Sequence, residues 1–427
     1  MDMNLQITPK PIRILHKLYD HAVSVADPML TVPSYLPEKP RGKVIVVGAG
    51  KASARMAEAV ETVWGACEGI IITRYGYGRP TKGIQIIEAS HPVPDENGVI
   101  ATKKILDLMN DLNENDFVLC LISGGASALL CAPSDIITLA EKQSINNSLL
   151  TSGAPIEKIN LVRKHLSKVK GGKLAAAAYP AKMLSLILSD VPGDDIQFIG
   201  SGPTVGDEST PAEALKILSD YNIYFPSDKI ENFNTQTSVI LPTDIRLSRT
   251  TNIIFAAPSQ SLEAASEMAS GEYGFEVINL GDNLQGEAKE IAISQAKQAI
   301  QIQDNLSKTQ PPVLLLSGGE LTVTASGNGV GGPNAEFCLA LAIELKQRQG
   351  IFGFAADTDG VDGTAEIAGA FITPNTLKDA ENSRVSPLEL LKENDSHNFF
   401  KKIGSQVVTG PTLTNVNDFR AILIYPC

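Results

Sequence analysis

Three things are missing from this 427-residue sequence: a long apolar run, a paired-cysteine motif and a basic excess. No apolar stretch approaches the ~20 residues that span a bilayer, so no membrane role is expected. The N-terminal stretch carries Asp2 and lacks the apolar core of a leader, so no signal peptide is expected either. The five cysteines (Cys67, Cys120, Cys131, Cys338, Cys427) are odd in number and form no CxxC pair. Reduced thiols in a cytoplasmic protein are the expectation. The net charge of −12 argues against general nucleic-acid or membrane-surface binding, while leaving room for one small basic pocket. There is no DNA- or RNA-binding signature and no low-complexity tract.

The length exceeds one ordinary core and points to two domains. Residues 226–248 are polar and irregular, and the boundary is drawn there, giving 1–247 and 248–427. Glycine and proline are plentiful, at 35 and 25 residues, and cluster at the ends of apolar runs. Strands are expected at 44–47, 69–73, 84–88, 117–122 and 183–189, alternating with helical stretches. Asp95 is expected to cap the helix that starts near Gly98. Apolar strands alternating with helices describe an α/β protein with a largely parallel, covered sheet. A single helix is expected over 156–178. The second half restarts near Asn252 with further strands, among them 313–316 and 352–356. His16 and His21 stand five apart, which does not place them on one helix face, so a metal pair is not expected.

The stretch Lys43 to Val60 joins a buried strand to a helix through Gly48-Ala-Gly50-Lys51. Helix starts carry unpaired N–H groups, and glycine lets a ligand approach the backbone. Lys51 adds a full charge, although a plain glycine turn with a solvated lysine is an equal reading of this turn alone. It is no P-loop, since Ile45 and Ala52 stand where Gly and Ser/Thr are needed. The dinucleotide fingerprint is incomplete at Ser53, and the next strand ends in Thr73-Arg74 rather than an acid, which disfavours standard NAD binding. Ser123-Gly124-Gly125-Ala-Ser127 is a second strand-to-helix turn with hydroxyls and N–H groups suited to a carboxylate or phosphate. It fails the G-x-S-x-G pattern, because Leu121 takes the first glycine's place. Asp190 follows one buried strand, and Asp357, Asp359 and Asp362 crowd the loop after another. Carboxylates in such places ligate Mg²⁺ or accept a proton, though simple turn stabilisation also accounts for each. The basic run from Arg163 to Lys173 is broken by Gly171-Gly172, which suits an anion-contacting turn better than a surface helix.

Ten stretches, in order, resemble the class II glycerate 2-kinases, also described as the MOFRL family. They are GAGKAS (48–53), ASHPVPDENG (89–98), LISGGASAL (121–129), INLVRKHLSKVKGGKLA (159–175), LSDVPGDD (188–195), GSGPTVGD (200–207), GGELTVT (318–324), GNGVGGPNAEF (327–337), DTDGVDGTAEIAGA (357–370) and GPTLTNVNDFR (410–420). The resemblance covers nearly the whole chain. It implies a Rossmann-like N-terminal domain and a smaller C-terminal α/β domain. It also implies ATP-dependent phosphorylation of D-glycerate at the 2-hydroxyl with Mg²⁺. Family members are also described as hydroxypyruvate reductases, so an NAD(P)H-dependent reductase is the alternative. The resemblance makes Lys51 and Asp359 catalytic, and Asp190 is added by its strand-end position. Asp190 and Asp359 are also the expected metal ligands. Gly48, Gly50, Ser123, Gly124, Gly125, Ser127, Arg163 and Lys173 are the expected substrate- and phosphate-binding residues. The family loop written GGRNQE reads Gly331-Gly332-Pro333-Asn334-Ala335-Glu336 here, with Val330 before it, so its arginine is missing. Arg79, Arg163 and Lys173 are the candidates to replace it. The partners implied are D-glycerate and ATP; a homo-oligomer is left open.

Overall fold

The computed structural model describes residues 9–191, 193–363 and 365–427. The chain forms two compact units. One is Pro28–Phe255, and the other joins the segment ending at Asp27 to Ala256–Cys427. Against the division drawn at 247/248, the first unit runs on to Phe255, and the N-terminal helix Lys10–Ser24 groups with the C-terminal half.

In the 28–255 unit the apolar runs become strands β1 (Val44–Ala49), β2 (Glu68–Arg74), β3 (Ile84–Ala89), β4 (Phe117–Ile122), β5 (Lys182–Leu188) and β6 (Thr250–Ala256). They form one sheet in the order β3-β2-β1-β4-β5-β6. The pairings β1–β2, β1–β4, β2–β3 and β4–β5 are parallel. Burial explains the composition: β1 and β4 are buried along nearly their whole length and read as continuous Val/Ile/Leu. The order 3-2-1-4-5-6 is that of a doubly wound dinucleotide-type sheet. It reverses between β1 and β4, and ligands bind beyond the carboxyl ends of the strands at such a reversal. Asp95 caps the helix Glu96–Leu108 as expected, its Oδ1 accepting from Gly98 N at 3.0 Å. The expected 156–178 helix is instead two, Ile156–His165 and Lys173–Ala178. Gly171 and Gly172 lie between them with φ of 59° and 78°, a left-handed conformation that ends an L-residue helix. The stretch 226–248 contains a short helix, Ile230–Gln236.

The other unit holds β7 (Glu276–Asn279), β8 (Gly286–Glu287), β9 (Val313–Ser317), β10 (Leu321–Thr322), β11 (Ile351–Asp357), β12 (Gly369–Ile372), β13 (Gln406–Val407) and β14 (Asp418–Ile424). Its main sheet runs β13-β12-β11-β14-β9-β7. Four pairings are antiparallel and β7–β9 is parallel. The N-terminal helix closes one core here: Tyr19 packs against Phe354 and Phe419, and its hydroxyl donates to the Asp357 carbonyl at 2.9 Å. A second core gathers Ala288, Ala292, Ala296 and Ala299 with the helix Pro333–Leu345, small residues allowing close helix approach. Among the described residues no helix is long and apolar enough to cross a membrane.

Candidate active site

In the 28–255 unit, the turns after β1 and β4 are stitched into one structure. Lys51 N donates to the Gly124 carbonyl at 2.8 Å, and Ser123 N to the Ala49 carbonyl at 3.2 Å. Ser123 Oγ accepts from Ala52 N at 3.0 Å and lies 3.1 Å from Ser53 Oγ. The glycines follow from this closeness. A Cβ on Gly48 would sit 2.0 Å from the Leu121 carbonyl oxygen, and one on Gly50 would sit 2.0 Å from Ser123 Oγ. Gly125 takes φ 82°, and a Cβ there would sit 3.1 Å from the His91 ring and 3.4 Å from Lys51 Cγ. Lys51, His91 and Gly125 therefore share one spot beyond the strand ends.

Beside them lies a cavity of about 150 Å³, lined among others by His91, Gly125, Ser127, Asn146 and Arg163. Ser127 Oγ is 2.8 Å from Ser201 Oγ, which donates to Asn160 Oδ1 at 2.8 Å. Asn160 and Arg163 stand one turn apart on the helix Ile156–His165, on neighbouring positions of its surface. The Arg163 guanidinium has no hydrogen-bond or ion-pair partner among the described residues, and burial disfavours its charged form. The buried Oδ1 of Asn146 also lacks a partner.

The surroundings are cationic. Lys142 and Lys170 are buried, with amines that donate to carbonyls: Lys142 to Leu166 at 3.2 Å, and Lys170 to Leu130 and Gly200 at 3.4 and 3.2 Å. Burial pushes both amines down, and the Arg163 charge adds to the effect on each. Arg163 lines the cavity, and its charge creates a potential there that favours an anion.

In the other unit, carboxylates gather at one end of β11 and β14. Asp359 is buried, its Oδ1 accepting from Val361 N at 2.8 Å, while its own N–H donates to Asp357 Oδ1 at 2.9 Å. Asp362 caps the helix Pro333–Leu345, its two oxygens each accepting at 2.9 Å from Asn334 N and Ala335 N. The N-terminal N–H groups of that helix are thus taken by a protein carboxylate. Asp362 Oδ2 is also 3.1 Å from His397 Nε2. Arg420 is fully buried, pairs with Asp418 at 2.8 Å and donates to the Gly318 and Gly319 carbonyls. Burial pushes the Asp418 carboxyl up, and the Arg420 charge opposes it.

Two family patterns match the chain. A domain of unknown function (DUF4147) matches residues 14–233, and the MOFRL family matches residues 313–418. The chain belongs to the MOFRL family. It is 39% identical over 408 residues to a D-glycerate 2-kinase of Thermotoga maritima, covering 94% of this chain and 96% of the relative. An Agrobacterium vitis relative with a provisional hydroxypyruvate reductase name is 46% identical over 420 residues, covering 96% and 94%. A solved structure titled as a Thermotoga maritima glycerate kinase superposes with a TM-score of 0.87 at 38% identity, covering 97% of this chain and all of that one. The expected α/β class, with its Rossmann-like first half, is confirmed.

In this MOFRL chain the structure places Lys51, Gly125, Ser127 and Arg163 together. Ser123 is fully buried, so its hydroxyl ties the turns and does not face a ligand. Gly48 and Gly50 are required by their neighbours; the space a side chain would take is filled by Leu121 of β4 at Gly48 and by Ser123 of the turn after it at Gly50. Gly124 spends its carbonyl on Lys51 N. Lys173 lies apart from Arg163, lining a different cavity. Its amine donates to the Lys164 carbonyl at 3.1 Å and the Ser167 carbonyl at 2.6 Å. Asp190 is half-buried two residues beyond β5, the strand beside β4. Asp359 belongs to the other unit. Of the candidates for the missing arginine, Arg79 is held by Glu58 through two hydrogen bonds, of 2.8 and 3.1 Å. Arg163 alone of the three lacks such a partner among the described residues. The MOFRL loop itself shows why Pro333 is tolerated: it is the first residue of a helix, where the missing N–H costs nothing. Asn146, Asn160, Ser201 and His91 are not among the site residues expected from the sequence, and the structure places them at this cavity or hydrogen-bonded to its lining. Ser201, Asn160 and His91 had a signal, lying within the quoted GSGPTVGD, INLVRKHLSKVKGGKLA and ASHPVPDENG stretches.

Oxygen donors at Asp190 and Asp359 are of the type Mg²⁺ takes. Among the described residues no group of three or more His, Cys, Asp or Glu could hold a metal.

Proposed function

We propose that this protein transfers the γ-phosphoryl group of ATP to the 2-hydroxyl of D-glycerate, giving 2-phosphoglycerate in the cytoplasm. The observation that carries the reading is the unpaired Arg163 guanidinium in a small cavity shared with Gly125 and Ser127, beside Lys51. A bidentate guanidinium contact suits a carboxylate of a three-carbon acid. Arg163 then holds the glycerate carboxylate, with Ser127 orienting it through its hydroxyl. Lys51 neutralises charge on the phosphoryl oxygens in flight, because phosphoryl transfer depends on positioning and charge neutralisation more than on covalent chemistry. Asp190, in the same unit, accepts the proton of the 2-hydroxyl. Asp190 would hold Mg²⁺ together with the nucleotide, and the chemistry of the ion is to neutralise the nucleotide phosphates. The kinase names of the relatives from Thermotoga and from Pyrococcus horikoshii support the same reading.

The reductase alternative lacks support at the nucleotide end. Thr73 Oγ1 is spent on the Gly50 carbonyl at 3.1 Å, and the Arg74 guanidinium lies over the Tyr77 ring. One assay separates the readings. ADP formation that requires both D-glycerate and Mg²⁺, with no NADPH oxidation by hydroxypyruvate, is the expected result. NADPH oxidation without ADP formation would overturn it.

A further inference from the structure

The helix Lys173–Ala178 borders a second cavity in the 28–255 unit, of about 380 Å³. It shares no residue with the Arg163 cavity. Lys168, Lys173 and Arg246 line it, together with Ser134, Ser238 and one carboxylate, Asp135. Lys168 pairs with Asp135, and Arg246 pairs with Asp244 at 2.7 Å. Both pairs are substantially exposed to solvent. The single exposed Lys168–Asp135 contact contributes little, so Lys168 is free to exchange its partner; Arg246 grips Asp244 through two hydrogen bonds, of 3.0 and 2.7 Å, and offers a ligand its remaining guanidinium N–H groups.

Two deeper groups are under-satisfied. The Lys173 amine has three N–H donors and spends two of them on carbonyls. It has no carboxylate partner among the described residues, and burial, then the charge of Lys142, lowers it to about 8. Ser134 is buried, and its Oγ has no hydrogen-bond partner among the described residues. An unpaired buried hydroxyl costs free energy unless a ligand or water meets it.

We propose that this cavity is a second anion site, separate from the Arg163 site, that takes a small phosphorylated organic anion. A phosphate group matches the lining in charge and in donors. Its oxygens accept from the Lys173 ammonium, the Arg246 guanidinium and the Ser134 hydroxyl, with Lys168 adding charge at the rim. The volume exceeds that of inorganic phosphate and lies within the range of small-ligand sites, so an organic moiety has room beside the phosphate. The assignment does not depend on which reaction the Arg163 site performs.

The test uses the full chain at low ionic strength. Equilibrium dialysis with radiolabelled inorganic phosphate is run on wild type, K168Q/R246Q, S134A and R163M, and calorimetric titration with 2-phosphoglycerate is run on the same four. The charge substitutions break only exposed ion pairs, and S134A removes one unpaired hydroxyl, so melting temperatures without ligand should stay at the wild-type value. Wild type should show a phosphate-binding class that weakens at least tenfold in K168Q/R246Q, weakens measurably in S134A and persists in R163M. Tighter binding of 2-phosphoglycerate than of phosphate at that class identifies an organic phosphate as the occupant; equal binding narrows it to free phosphate and overturns the organic part. Phosphate binding that is absent, unchanged in K168Q/R246Q, or lost in R163M alone overturns the site.

Discussion

The backbone N–H of Lys51 donates to the carbonyl of Gly124 at 2.8 Å, so the turn carrying the lysine is fixed by the turn of the neighbouring strand. This bond does not involve the Lys51 side chain, and β1 and β4 are paired beneath it. The frame that positions the side chain is therefore held by backbone bonds.

Lys51→Ala should lower kcat for glycerate phosphorylation by about 10²–10³-fold, the size of effect seen when one stabilising donor to a developing charge is removed. Its melting temperature should stay near the wild-type value. Steady-state ADP formation and a thermal melt check both halves. Near-normal turnover would remove Lys51 from the mechanism.

Arg163 separates binding from stability in the opposite sense to most site mutations. The folded protein half-buries its charge with no partner among the described residues, which is unfavourable in the absence of ligand. Arg163→Met should therefore leave the empty protein as stable as wild type or more so, while weakening D-glycerate binding by about 10–100-fold, the worth of a charge-assisted contact. The effect should fall mainly on KM. A destabilised variant with unchanged KM would make Arg163 a structural residue.

Arg420 is predicted to behave as structure. Arg420→Met leaves the Asp418 carboxylate buried opposite an apolar side chain and releases the Gly318 and Gly319 carbonyls. Breaking a buried pair by removing one partner costs about 3–5 kcal/mol. The double variant R420M/D418N should recover part of that loss, because no carboxylate is then stranded. Urea unfolding of the three proteins tests it; equal losses in single and double variants would show that the ion pair is not what the arginine contributes.

The apolar strands and the glycine turns were readable because burial on both faces dictates β1 and β4, and tight strand approach dictates Gly48 and Gly50. What glycine signals is less specific: both a ligand cradle and a neighbouring backbone demand it, and at 48 and 50 the neighbour is the reason. The same ambiguity holds for carboxylates. Asp362 looks like its loop companions, yet it caps a helix whose first residue lies 29 positions earlier in the chain. Lys142 gave no signal, since a buried amine satisfied by a carbonyl leaves no periodic or charge pattern. The grouping of Lys10–Ser24 with the second half rests on contacts such as Tyr19 with Phe354 and Phe419, which sequence proximity hides.

Acid sensitivity gives the last prediction. Burial lowers both His16 and His165 from 6.5 to about 4, so the fold holds them neutral. His165 is fully buried, with Nδ1 2.7 Å from the Thr237 carbonyl. The unfolded chain takes up protons near 6.5, where the folded chain does not. The stability each histidine contributes is complete above pH 6.5 and is lost as pH falls from there to about 4. Within that window each should contribute a slope approaching 1.4 kcal/mol per pH unit. Urea midpoints measured from pH 7 to pH 4.5 should therefore fall steadily, and His165→Gln should flatten the fall by about the share of one histidine even if its stability at pH 7 is lower. A slope unchanged in that variant would mean His165 is protonated in the folded chain.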